Sequence, residues 1–109
     1  MQIPLQITYR GMSSSPSVDA LIQERASKLE RFSDRIVRCH VIVGVPHRHQ
    51  KQGRHFSVHL DLTTPLGNIV VTREPPSAAE PQDLAVVVRD AFDVATRQLE
   101  DEARRHRPN

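Results

Sequence analysis

The chain is 109 residues long, the size of one domain with one core, and 38% hydrophobic content with 4% aromatics implies a modest, aliphatic interior. Its formal charge of +2 is divided unevenly: residues 1–60 carry nine Arg or Lys against four Asp or Glu, whereas residues 61–109 carry six against nine. A single cysteine, Cys39, excludes an internal disulfide. No apolar run approaches the roughly 18 to 20 residues that cross a membrane, and the N-terminal stretch lacks the plan of a secretory signal. The expectation is a soluble, cytoplasmic protein.

Residues 2–10 alternate, with Ile3, Leu5, Ile7 and Tyr9 on one side, which predicts a half-buried first strand. Ser15 followed by Pro16 then signals a helix start: the serine oxygen can accept an orphan amide, and proline loses nothing at the first helical position. Val18, Leu21, Ile22, Ala26, Leu29 and Phe32 recur at three-and-four spacing, so one stripe of this helix is core. Lys28 and Arg31 fall on one flank of the stripe with Arg25 near its edge, Arg35 just beyond the helix, and Glu24 placed to pair with Lys28.

Residues 36–45 alternate again, with Val37, Cys39, Val41, Val43 and Val45 inward and Arg38, His40 and Ile42 outward. After the polar, basic stretch at 46–54, a third strand over 54–62 turns Phe56, Val58, Leu60 and Leu62 inward and His55, Ser57, His59 and Asp61 outward. Turn chemistry at Thr64-Pro65-Leu66-Gly67-Asn68 leads into a fourth strand from Ile69 to Glu74. Residues 75–81 read as a loop, and a second helix runs from Asp83 to about Arg105, with Leu84, Val88, Ala91, Ala95 and Leu99 on its stripe, flanked by Val87 and Phe92. Its outer face sets Asp93 with Arg97, Glu100 with Arg104 and Asp101 with Arg105 at i, i+4 spacing.

The predicted fold is thus α+β, in the order β-α-β-β-β-α. The first two strands are joined by a helical crossover that suits a parallel pair, and the remaining strands form an antiparallel meander. This makes a four-stranded mixed sheet with both helices on one face and the other face open. One domain over residues 1–109 is expected, with an ordered core of about residues 2–105.

Six histidines raise the question of a metal: His47 and His49 as H-x-H, His55 and His59 on one strand face, and His40 on its neighbour. Structural zinc usually draws four ligands at tight spacing, often with paired cysteines, and here the lone cysteine points inward. Neither a metal site nor a cofactor is expected. There is no nucleophile elbow, phosphate loop or zinc-protease helix, and a His59–Asp61 dyad is discounted on the ground that strand neighbours alternate faces. No catalytic residue is assigned.

Binding of an anion has more support, since thirteen of the fifteen basic residues are arginine, whose planar fork suits phosphate. A coding bias would give the same excess, and a charged flank is ordinarily just a solvated one. The helix-one flank, Arg35, Arg38 and the loop residues Arg48, Lys51 and Arg54 are candidates for one footprint. Stacking aromatics are missing from the open sheet face, which favours reading of phosphates and helical shape over single-strand recognition.

The element order, together with Lys28-Leu29-Glu30, Asp34-Arg35-Ile36, Thr64-Pro65-Leu66-Gly67, Gln82-Asp83-Leu84 and Arg97-Gln98-Leu99, resembles the ribosome hibernation promoting factor family. These proteins are also called ribosome-associated inhibitor A or sigma-54 modulation proteins. The resemblance runs from the first strand to about Leu99. It implies a layout similar to double-stranded-RNA-binding domains, and a partner in the small ribosomal subunit and its rRNA. Family members occupy the A and P sites there and block messenger and tRNA, silencing translation in stress or stationary phase.

By resemblance, Arg25, Lys28, Arg31 and Arg35 match the family's basic helix-one surface and Arg97 a position on helix two. With Arg38 these are the expected rRNA contacts. The chain departs from the pattern at Ala85, where an aromatic is usual, and at the acidic Glu100-Asp101-Glu102, where lysines are usual. The long members' C-terminal dimerisation domain has no counterpart, so a short form is expected, and a homodimer is possible but not predicted. The alternative is a diverged member that binds protein through its acidic second helix or its His-rich sheet face.

Overall fold

The computed structural model describes residues 4–32, 36–44, 56–65, 67–74 and 83–105. The basic stretch with His47, His49, Arg48, Lys51 and Arg54, the 75–81 loop, and Ile3, Arg35, Val45, His55 and the Phe32 side chain lie outside the described residues.

The elements are β1 (Leu5–Arg10), α1 (Pro16–Phe32), β2 (Arg38–Gly44), β3 (Ser57–Thr64), β4 (Gly67–Arg73) and α2 (Leu84–Arg105). They form one sheet in the order β1-β2-β3-β4. β1 runs parallel to β2, from Leu5 opposite Cys39 to Arg10 opposite Gly44, and the two following pairs are antiparallel. This is the expected α+β fold, with α1 packed against β1 and α2, and α2 against β3 and β4.

Alternation places Cys39, Val41 and Val43 of β2, Val58, Leu60 and Leu62 of β3, and Ile69 and Val71 of β4 beneath the helices. Val18, Ile22, Ala26 and Leu29 of α1 close over them, with Leu84, Val87, Val88, Ala91, Phe92, Ala95 and Leu99 of α2. Each fully buried aliphatic side chain contributes about 1.5–3 kcal/mol, so this one layer supplies the main stabilisation. Leu5, Ile7 and Tyr9 of β1 are only half-buried at its margin.

Two boundaries differ from the sequence expectation. Simple alternation turns Val37 inward, but it is 54% exposed, and Ile36 is buried instead. The Val37 amide donates to Thr63 O at 2.7 Å while Arg38 is the register partner of Thr63, so two residues face one, a β-bulge that resets the alternation. The hairpin is also tighter than expected, for Thr64 pairs with Gly67 and Asn68 with Thr63. Gly67 has φ 136°, a value side chains disfavour, and its carbonyl accepts the Thr64 hydroxyl at 2.8 Å.

The Val86-Val87-Val88 run, strand-like in isolation, is helical because Asp83 caps it. Its carboxylate accepts the Ala85 amide at 3.0 Å, and its carbonyl accepts Val86 at 2.9 Å. Among the described residues α2 carries ion pairs at i, i+3: Arg104 with Asp101, and Arg105 with Glu102 at 4.0 Å. Both spacings bring side chains onto one helix face.

Candidate nucleic-acid interface

α1 starts where the sequence places it. Gly11, with φ 75°, turns the chain out of β1; the Val18 amide then donates to Ser15 Oγ at 3.3 Å and the Asp19 amide to Ser15 O at 2.9 Å. Tyr9 fixes the rotation of the helix. Its hydroxyl donates to Asp19 Oδ1 at 2.7 Å and lies 3.2 Å from Ser15 O, which ties the Asp19 flank to β1. Burial, and then the bond to Asp19, raise the Tyr9 pKa. Nothing in the sequence flagged this latch, since two residues ten apart in different elements share no periodicity.

With Asp19 held toward β1, the opposite flank of α1 lies on its α2 side, and at 100° per residue that flank carries Arg25, Lys28 and Arg31. Lys28 and Arg31 are exposed, whereas Arg25 is half-buried near the core stripe. The Arg25 Nε is shielded from solvent and has no hydrogen-bond partner among the described residues. Lys28 Nζ stands 3.7 Å from Glu24 Oε2 in the expected i, i+4 pair, with both side chains about half exposed. The flank therefore presents three cations and one competing carboxylate. A half-exposed pair of this kind stabilises the helix by only about 0.3–0.5 kcal/mol, so displacing Glu24 costs little.

Of the other expected site residues, Arg38 and Arg97 sit on other elements, β2 and α2. Arg35 lies outside the described residues. Arg38 is exposed and follows the bulge on the sheet face opposite the helices, since its neighbour Cys39 is buried beneath them. Arg97 is exposed on α2 between buried Ala95 and Leu99. It has no ion-pair partner among the described residues, and Asp93, Glu100 and Asp101 share its side of the helix. The field there is more acidic than on α1.

On the open face, His40 Nε2 lies 2.9 Å from Thr8 Oγ1, and His59 Nδ1 lies 3.0 Å from Thr72 Oγ1. No group of three or more His, Cys, Asp or Glu among the described residues is placed to hold a metal. Contrary to the expected alternation, His59 and Asp61 stand two apart on β3 and share a face. What occupies them is different partners: Thr72 for His59, and Asn68 Nδ2, at 3.5 Å, for Asp61.

The fold and this flank define a β-α-β-β-β-α domain that presents a basic helix edge beside a sheet with an open polar face. The sequence profile of the Sigma 54 modulation protein / S30EA ribosomal protein family matches residues 5–107, and the chain belongs to that family. Among solved structures it is similar to a ribosomal subunit interface protein from Coxiella burnetii, at 19% identity and a TM-score of 0.71 over 92% of this chain and 97% of that one. It is also similar to the Protein Y N-terminal domain of Thermus thermophilus, at 16% identity and a TM-score of 0.68 over 93% of this chain and 98% of that one. No curated protein sequence matches the chain. Among the described residues no helix is long and apolar enough to cross a membrane.

Proposed function

We propose that this chain is a ribosome-associated translation inhibitor that binds the small ribosomal subunit at the A and P sites and keeps messenger and tRNA out. Residues 1–109 act as one ribosome-binding domain, by a stoichiometric, non-enzymatic mechanism. The observation that carries the reading is the α1 flank of Arg25, Lys28 and Arg31 in a chain that belongs to the S30EA family. These side chains neutralise rRNA phosphates, with Arg35, Arg38 and Arg97 as outlying contacts. The open sheet face carries threonine-bonded histidines rather than stacking aromatics, so the contact reads backbone and shape.

The acidic surroundings of Arg97 favour a second reading, in which α2 meets a basic ribosomal protein rather than rRNA. Co-sedimentation with purified small subunits at low and high salt tests the proposal. Binding at about 50 mM salt that weakens steeply by about 200 mM is expected of phosphate contacts, and absence of binding at the lower salt would overturn it.

A further inference from the structure

Among the described residues the strand order leaves β4 with a neighbour on one side only. We propose that its free edge pairs with the β4 of a second copy of this chain, antiparallel about a two-fold axis at Val70, joining two four-stranded sheets into one.

Backbone directions settle which groups are available. Thr63 turns its carbonyl to β2, where it accepts from Val37, so Leu62 and its alternates turn theirs to β4. By the register Leu62↔Ile69 and Leu60↔Val71, Ile69 and Val71 exchange bonds with β3. Asn68, Val70 and Thr72 therefore hold an amide and a carbonyl outward on the free edge.

That edge is self-complementary. Asn68-Ile69-Val70-Val71-Thr72 reads polar, apolar, apolar, apolar, polar in both directions, and the burial of β4 has the same symmetry about Val70. An axis at Val70 sets this residue against its own copy and Asn68 against Thr72 of the copy. In each case both residues offer outward groups, so each pair exchanges two hydrogen bonds. The Val70 side chain, 51% exposed, is covered by its counterpart.

Charge permits the pairing. Residues 67–72 contain no charged side chain and no proline, the devices that usually blunt an edge. Arg73 falls opposite Gly67 of the copy, which has no side chain to crowd it. At about 3.3 Å per residue the two Arg73 stand roughly 20 Å apart. That is well beyond the screening length of about 8 Å at physiological salt. One strand pair buries less than the roughly 1,200 Å² of a stable complex, so the dimer dissociates on dilution. β1 forms the far edge of the sheet and α1 packs on that side, so the basic flank stays clear of the contact.

Sedimentation velocity of the full chain from micromolar to millimolar concentration tests this. A doubling of mass toward the upper end is expected. It should be lost in Val70→Pro, which removes an outward amide that β3 does not use, and in Val70→Lys, which sets like charges face to face. Circular dichroism verifies that both variants fold. A wild-type chain that stays monomeric throughout overturns the proposal, as does a dimer equally strong in a folded Val70 variant. Protection of the Asn68, Val70 and Thr72 amides from hydrogen exchange in dilute monomer would also overturn it, by showing that another segment of the chain already covers the edge.

Discussion

Reversing the charge at Lys28 and Arg31 together, by Lys28→Glu with Arg31→Glu, isolates the α1 flank. Both side chains are exposed, so the buried stripe is untouched and each surface change should alter stability by no more than about 0.5 kcal/mol. If Arg25, Lys28 and Arg31 each neutralise one phosphate, the flank contributes roughly −2.7 to the slope of the logarithm of affinity against the logarithm of salt, at about 0.9 per contact. Raising salt from about 50 to 200 mM then weakens binding roughly 40-fold through the flank. The double variant leaves Arg25 alone, with Glu24 and two added carboxylates around it. Its slope should shrink by about 1.8 or more, and the flank's share of the same salt step should fall to roughly 3- to 4-fold. Fluorescence anisotropy of labelled protein titrated with small subunits, over several salt concentrations, measures both slopes. A double variant with the wild-type slope and wild-type low-salt affinity would refute the flank as the binding surface.

Removing the latch hydroxyl by Tyr9→Phe should lower stability by about 1–2 kcal/mol, read as a shifted urea midpoint, because Asp19 and Ser15 O lose their shared donor. An unchanged midpoint would show that the latch holds nothing. Since the Tyr9 pKa is raised in the folded state, its ionisation advantage is intact below the ordinary value of 10.0 and fades above it. The phenylalanine variant should therefore lose less stability than wild type in strongly alkaline solution. Cys39 gives a second pH test: burial, and then the Asp61 charge, push its pKa up to about 12 from 9.0. A thiol reagent near neutral pH should react with it only after unfolding. Stability should fall as pH rises from about 9 toward 12, because the unfolded chain ionises first; rapid labelling of native protein would contradict this.

Much of the fold was legible because period and capping agree along the chain. The α1 stripe, the Ser15 start and the alternation from Cys39 to Val43 each needed only local rules, and the structure follows them. What was not legible depends on backbone geometry that side-chain pattern does not report. Ile36 and Val37 are both aliphatic, and only a bulge facing Thr63 decides which is buried. Pro65-Leu66-Gly67 announced a turn but not that Thr64 and Gly67 close it as a pair. On the candidate site, spacing alone placed Arg25, Lys28 and Arg31 on one flank. Whether Arg38 and Arg97 join them depended on how the sheet and α2 sit against α1, which no single element encodes.

The bulge has a further meaning for the chain's length. Without Val37, Ile36 and Cys39 would stand two apart and share the core face under simple alternation, with Arg38 still outward. Val37 behaves as a one-residue insertion, absorbed where the chain enters β2 before it can shift the frame of Cys39, Val41 and Val43. The backbone confines the extra residue to one exposed side chain and leaves the core frame unchanged.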